Sequence, residues 1–199
     1  MTLDELISPI HGRLGVLERS GDQRVTIADL TDDSRKVGPG SLFVAVQGER
    51  VDGHQFLDPV VAAGAAAVVV QRSGDVGAIS CVRVQDSRAA LGILGSRFYG
   101  DPSSSLRMIG VTGTNGKTTT TYVVKTMLEA ARRRVGLIGT VAYLVGKESI
   151  PASHTTPGAL ELQKLFARMR EARLDTVVME VSSHALALDR TAGSEFDVA

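Results

Sequence analysis

Met108-Ile109-Gly110-Val111-Thr112-Gly113-Thr114-Asn115-Gly116-Lys117-Thr118-Thr119-Thr120 decides how this chain is read. An apolar, β-branched run leads into a glycine turn, and a lysine and three hydroxyls follow where a helix begins. Tyr122, Val123, Met127, Leu128 and Ala131 recur at three- and four-residue spacing on one face, which predicts that helix. Strand, glycine turn and helix start together form an anion cradle. Backbone N–H groups point into the turn, and the helix N-terminus adds about half a positive charge. Gly113 and Gly116 allow the backbone to approach an anion in conformations closed to other residues. Lys117 adds a cation to the positive end of the helix dipole, a placement costing roughly 0.3–1 kcal/mol that a bound anion would reverse. Thr118 stands where a P-loop hydroxyl would hold Mg²⁺. The spacing departs from strict G-x-x-x-x-G-K-[ST], because Val111 occupies the first glycine position. The competing reading is an ordinary Gly/Thr-rich turn into a helix.

Working outward, Thr176-Val177-Val178-Met179-Glu180-Val181-Ser182-Ser183-His184 is the second informative stretch. An apolar strand ending in a carboxylate is costly unless the charge meets a cation. Alternating strands and helices imply a mostly parallel sheet, which binds ligands beyond its strands' carboxyl ends. Glu180 could therefore share a Mg²⁺ with Thr118; the alternative is a solvated glutamate at an exposed strand end. His184 and Arg190 follow on a loop and have either a structural or a ligand-binding use. Between the two stretches, Val135–Ile138 reads as a strand, Gly146-Lys147-Glu148 as a hairpin tip, and Leu160, Leu162, Leu165, Phe166 and Met169 as a helix's buried face. Pro157 suits that helix's first turn, so Thr155 or Thr156 either caps it or faces a ligand.

The first hundred residues read as a small α/β domain. A short helix over Leu3, Leu6 and Ile7 closes at Pro9 and Gly12. Strand-like patterns cover Val25–Leu30, Ser41–Val46, Ala66–Val70 and Ser80–Val84. Helices follow over Gln55–Ala63 and, capped by Asp86 or Ser87, through Leu91, Leu94 and Phe98. Gly100–Ser105 reads as an exit linker, dividing the chain into domains 1–102 and 103–199. Asp33-Ser34-Arg35 beside a glycine turn is either a reader of a polar ligand or an Asp–Arg pair bracing the turn.

Composition bounds the rest. Of 199 residues 43% are hydrophobic, enough for real cores, and 22 basic residues balance 22 acidic ones. That balance points to no nucleic-acid or membrane-surface partner. Cys81, the single cysteine, excludes an internal disulfide and reads as a buried small hydrophobe. Met1–Ile10 lacks the form of a signal peptide, and Val60–Val70 is too short to span a bilayer, so a cytoplasmic location is expected.

These residues together resemble the Mur ligases, and within them the MurE type. The resemblance rests on Asp33-Ser34-Arg35, Pro39–Ala45, Asp52-Gly53-His54, Gly113–Thr119, Thr155-Thr156-Pro157 and Met179–His184. It implies an N-terminal domain holding the UDP of a UDP-muramyl-dipeptide, with Ser34 at the uracil end. A P-loop-type, mostly parallel-sheet domain would follow and hold ATP on Gly113, Thr114, Asn115, Gly116, Lys117, Thr118 and Thr119. It further implies substrate contacts from Thr155, Thr156, Ser182 and Arg190, Mg²⁺ at Thr118 and Glu180, and catalytic roles for Lys117 and Glu180. The implied reaction activates a D-glutamyl carboxylate as an acyl phosphate, which the amine of a diamino acid attacks, in a monomeric enzyme. The family often has Asn before the Thr-Thr pair and Gln two residues before the arginine; His154 and Leu188 stand there in this chain. By the same resemblance, the chain stops near Phe196–Ala199 as another strand begins, with a C-terminal domain beyond. Val111, Ile138 and Val178 are then expected to lack part of their cover. MurF-type ligases and a non-catalytic UDP-sugar or nucleotide-binding module are the other readings.

Overall fold

The computed structural model describes residues 1–48, 51–72 and 76–199. The chain forms two compact units, Met1–Phe98 and Tyr99–Ala199.

In the first unit Thr2 opens helix α1 (Leu3–Ile7) with a reciprocal cap. Its hydroxyl accepts from the Glu5 amide at 3.2 Å, and the Glu5 carboxylate accepts from the Thr2 amide at 2.7 Å. Pro9 and Gly12 do not close this helical segment as expected. Pro9 sits in the first turn of a 3-10 turn (Ser8–Ile10), where its missing N–H costs nothing, and α2 (His11–Leu14) follows. The segment ends only at Gly15, at φ +59°. Strand β1 (Val16–Ser20) has a half-exposed, polar composition that gives no apolar run, which is why no expectation covers it. The strand-like pattern from Val25 shortens to β2 (Asp29–Thr31), and β3 (Ser41–Val44) is fully buried. Helix α3 (Leu57–Ala62), β4 (Ala67–Val70), β5 (Ser80–Val84) and α4 (Ser87–Phe98) complete the unit. Asp86 caps α4, accepting from the Arg88 and Ala89 amides at 2.8 and 3.1 Å. The sheet order is β1-β5-β4-β3-β2, parallel throughout except for the β1–β5 pair. Cys81 is buried in its core, where desolvation pushes the thiol up from its ordinary range.

In the second unit the supposed linker is structure. Pro102–Ser105 forms a 3-10 turn with Pro102 and Ser103 buried, and Arg170 holds the Tyr99 and Gly100 carbonyls at 2.9 and 2.8 Å. Strand β6 (Arg107–Val111), helix α5 (Lys117–Ala130) and strand β7 (Val135–Ile138) are followed by a hairpin of β8 (Ala142–Val145) and β9 (Glu148–Pro151). Helix α6 (Ala159–Glu171), β10 (Thr176–Glu180) and a short α7 (Ser183–Ala187) close the unit. The order is β6-β10-β7-β8-β9, with β6, β10 and β7 parallel. Leu160, Leu162, Leu165, Phe166 and Met169 are buried on α6 as the pattern predicts. The apolar spacing of α5 does not mark its packed face. Val123 and Met127 are 50% and 67% exposed, and Thr121 is the helix's fully buried residue. Apolar spacing identifies a helix here but not its packed side.

Ile138 and Val178 are completely buried, contrary to the expectation of lost cover, because β10 lies between β6 and β7. Val111 is half-buried on the outer strand. Val198 pairs parallel with Ile109, with its carbonyl accepting from the Gly110 amide at 2.9 Å, so the last residues run beside β6 as a strand would. Among the described residues no helix is long and apolar enough to cross a membrane.

Candidate nucleotide and metal site

Three parallel strands deliver the site. β6 ends at Val111, β7 at Ile138 and β10 at Glu180, all at the same end of the sheet. Beyond β6 the chain turns through exposed Thr112–Gly116, with Gly113 at φ +138° and Gly116 at φ +80° as the N-cap of α5. An L side chain would be strained at either position. Among the described residues, the backbone N–H groups of Gly113 through Thr119 donate to nothing in the protein. The loop and first helical turn therefore present a run of free amides at the positive end of a fourteen-residue helix. Lys117 Nζ folds back onto the Gly113 carbonyl at 2.7 Å.

Glu180 is 1% exposed, so it is not a solvated strand terminus. Every hydrogen bond to it comes from a neutral donor. Thr118 Oγ1 reaches Oε1 and Oε2 at 2.9 and 3.0 Å, the Thr140 amide reaches Oε1 at 2.9 Å, and Thr140 Oγ1 reaches Oε2 at 3.1 Å. No ion pair among the described residues includes it. Its partners are hydroxyls and an amide, so this buried acidic side chain has hydrogen bonds but no cation of the protein beside it among the described residues. Hydroxyl and carboxylate oxygens beside a phosphate-type loop are the hard donors that suit Mg²⁺ completed by phosphate oxygens.

Thr155 and Thr156 do not cap α6. Gly158 takes the N-cap position with no side-chain bond, and Pro157 precedes it. The two hydroxyls turn toward the sheet end instead. Thr155 Oγ1 lies 3.0 Å from Thr140 Oγ1. Thr156 Oγ1 donates to the Glu180 carbonyl at 2.9 Å and accepts from the Ser182 amide at 3.1 Å. Ser182 caps α7 by accepting from the Ala185 amide, and Arg190 donates to the Thr156 carbonyl at 2.9 Å. Thr118, Glu180, Thr155, Thr156, Ser182 and Arg190 thus form one connected network. Gly139 and Thr140 belong to it too, and sequence reasoning assigned them nothing. The available signal was their position directly after a parallel strand. A Cβ at Gly139 would overlap Glu180 Oε1, so a side chain there would force the carboxylate to shift.

Ser34 lies in the other unit, half-buried on a 3-10 turn (Ser34–Lys36), and its hydroxyl has no partner among the described residues. Asp33 and Arg35 pair on themselves, at 2.8 and 2.9 Å, which bears out the bracing reading. The hydrogen bonds and charge of Arg35 pull the Asp33 carboxyl down to about 2. Asp52 and His54 also form a brace. His54 Nε2 accepts from the Gln71 amide at 3.0 Å, which leaves Nδ1 to donate to Asp52 Oδ1 at 2.6 Å. His154 contributes its backbone, exchanging hydrogen bonds with the Tyr143 hydroxyl.

Two family models fit this architecture. The Mur ligase family catalytic domain matches residues 26–99, and the Mur ligase middle domain matches residues 111–199. The chain belongs to the Mur ligase family. Among similar curated proteins, a UDP-N-acetylmuramoyl-L-alanyl-D-glutamate–2,6-diaminopimelate ligase of Alkaliphilus metalliredigens is 47% identical over all 199 residues, and one of Geobacillus thermodenitrificans is 45% identical. The chain spans 40% of the length of each. A solved diaminopimelate ligase superposes with a TM-score of 0.81 at 24% identity, covering the whole chain and 40% of that protein; it supports the fold. MurF of Acinetobacter baumannii gives 0.60 at 26% identity, over 92% of this Mur ligase chain and 36% of its own. MurF of Thermotoga maritima, solved with ADP, gives 0.52 at 26% identity, over 80% and 32%.

Proposed function

We propose that these residues form the nucleotide- and UDP-muramyl-peptide-binding part of an ATP-dependent amide ligase. It acts in the cytoplasm as a monomer and adds a diamino acid, diaminopimelate or lysine, to UDP-N-acetylmuramoyl-L-alanyl-D-glutamate. The observation that carries this reading is the buried Glu180 bonded to Thr118 beside a loop of free amides. In this reading Gly113–Thr119 wrap the ATP phosphates. Lys117 leaves the Gly113 carbonyl for the phosphate oxygens, where it offsets charge developing during transfer. Thr118 and Glu180 would hold Mg²⁺, which supplies charge neutralisation for the phosphates when bound. Phosphoryl transfer depends on positioning and charge stabilisation, so the chain needs no nucleophile of its own. The D-glutamyl carboxylate takes the γ-phosphoryl group, ADP departs, and the incoming amine displaces phosphate to form the amide. Thr155, Thr156, Ser182 and Arg190 orient the muramyl-peptide, and Ser34 meets the uracil.

The sequence relatives named as diaminopimelate ligases favour this acceptor over that of a MurF-type ligase. Calorimetry on the 199-residue chain separates them. UDP-muramyl-dipeptide binding more tightly than UDP-muramyl-tripeptide is the expected result. The reverse order favours the MurF type, and binding of neither, nor of MgATP, would sink the ligase reading.

A further inference from the structure

The carboxylate of Glu180 is held from one side by Thr118 and from the other by a residue with no assigned part. Thr140 follows β7, and it grips both oxygens at once, its amide on Oε1 at 2.9 Å and its hydroxyl on Oε2 at 3.1 Å. A carboxylate accepts only, so the single Thr140 hydroxyl proton is committed to Glu180. The 3.0 Å contact with Thr155 must then have Thr155 as donor. Hydrogen bonds therefore run in one direction, from Thr155 to Thr140 to Glu180. The preceding residue permits this arrangement, since a Cβ at Gly139 would meet Oε1. The side chain of Glu180 could otherwise rotate about its terminal torsion, which is soft. With both oxygens gripped by one residue, that rotation is stopped.

We propose that Thr140 is a positioning residue that fixes the Glu180 carboxylate for a divalent cation and ties it to Thr155 on the muramyl-peptide side. The inference rests on the assignment of Mg²⁺ to Thr118 and Glu180. Thr140 touches neither reacting atoms nor cation; it acts through the carboxylate. Substituting groups that orient a metal ligand typically weakens metal affinity 10–100-fold.

Titrating Mg²⁺ into the 199-residue chain with ADP, and following ADP binding by calorimetry, tests the idea without catalysis. Thr140→Val keeps the β-branched shape and the amide but deletes the hydroxyl, and should raise the half-maximal Mg²⁺ concentration about tenfold. Thr140→Ser restores the hydroxyl and should stay within about twofold of the parent on the same scale. The amount of ADP bound at saturating Mg²⁺ reports the folded fraction, so a variant that only unfolds lowers the plateau without moving the midpoint. A Thr140→Val midpoint equal to the parent's, while Glu180→Gln shifts it, would overturn the role of Thr140 alone. Equal impairment of Ser and Val variants would also overturn it, because restoring the hydroxyl would then rescue nothing. ADP binding that ignores Mg²⁺, or that Glu180→Gln leaves unchanged, would remove the metal assignment and the inference with it.

Discussion

Two polar turns, one in each unit, carry the residue types that read ligands, and they differ in where their hydrogen bonds go. At Asp33–Lys36 the groups satisfy one another. Asp33 accepts from the Arg35 amide and guanidinium, its own amide donates to Thr31, and the Lys36 amide returns to the Asp33 carbonyl. At Gly113–Thr119 the amides have no partner in the protein and the lysine can reach only a loop carbonyl. A turn that closes on itself is architecture, and the Ser34 hydroxyl is a group it leaves without a partner among the described residues. A turn with a surplus of donors beside a buried carboxylate that pairs with no cation among the described residues is open to a ligand in a way the first turn is not.

The sharpest way to break this contrast is Lys117→Ala. It should weaken ATP binding by about 1.5–3 kcal/mol through a lost charge-assisted contact, while the melting temperature hardly moves. Parent-like ATP affinity would make the loop as self-contained as the other turn. Gly139→Ala should lower stability by about 1–3 kcal/mol in denaturant melts, because the new methyl meets a buried carboxylate oxygen. A neutral result would mean that Glu180 is free to move and is not gripped. Ser34→Ala should reduce affinity for the uridine diphosphate portion by about 0.5–1.5 kcal/mol and leave folding intact. Unchanged affinity would leave the first turn with no ligand role. The smallest effect belongs to the Asp33–Arg35 brace, which is largely exposed. The folded Asp33 pKa is depressed from 3.8 to about 2, so its contribution is complete above about pH 4 and fades as pH falls through 2. The stability gap between parent and Arg35→Ala should close over that window in acid melts. A gap that persists below it would have another origin.

Much of this is legible in the sequence, for identifiable reasons. β7, β10 and α6 have apolar patterns that match their burial, and the glycine-lysine-hydroxyl run is fixed by local chain geometry. β1 was invisible because an antiparallel outer strand with one solvated face needs few apolar residues. Apolar spacing does not mark the packed face of α5 because a threonine, Thr121, is buried there while Val123 and Met127 are exposed. The caps expected of Thr155 and Thr156 failed because the hydroxyls have better partners across the sheet end, on residues far along the chain. Thr140 was silent for the same reason. Its importance comes from Glu180, forty residues away, which only the parallel pairing of β7 with β10 brings near.

The most direct test of the account is an amide NMR titration of the chain with ADP at saturating Mg²⁺. Resonances of Gly113–Thr119 and Thr140 should move together, with those of Asp33–Lys36 unmoved, and removing Mg²⁺ should reverse most of the change at Thr140. Shifts centred on Asp33–Lys36, or a silent Gly113–Thr119 loop at millimolar ADP, would contradict it.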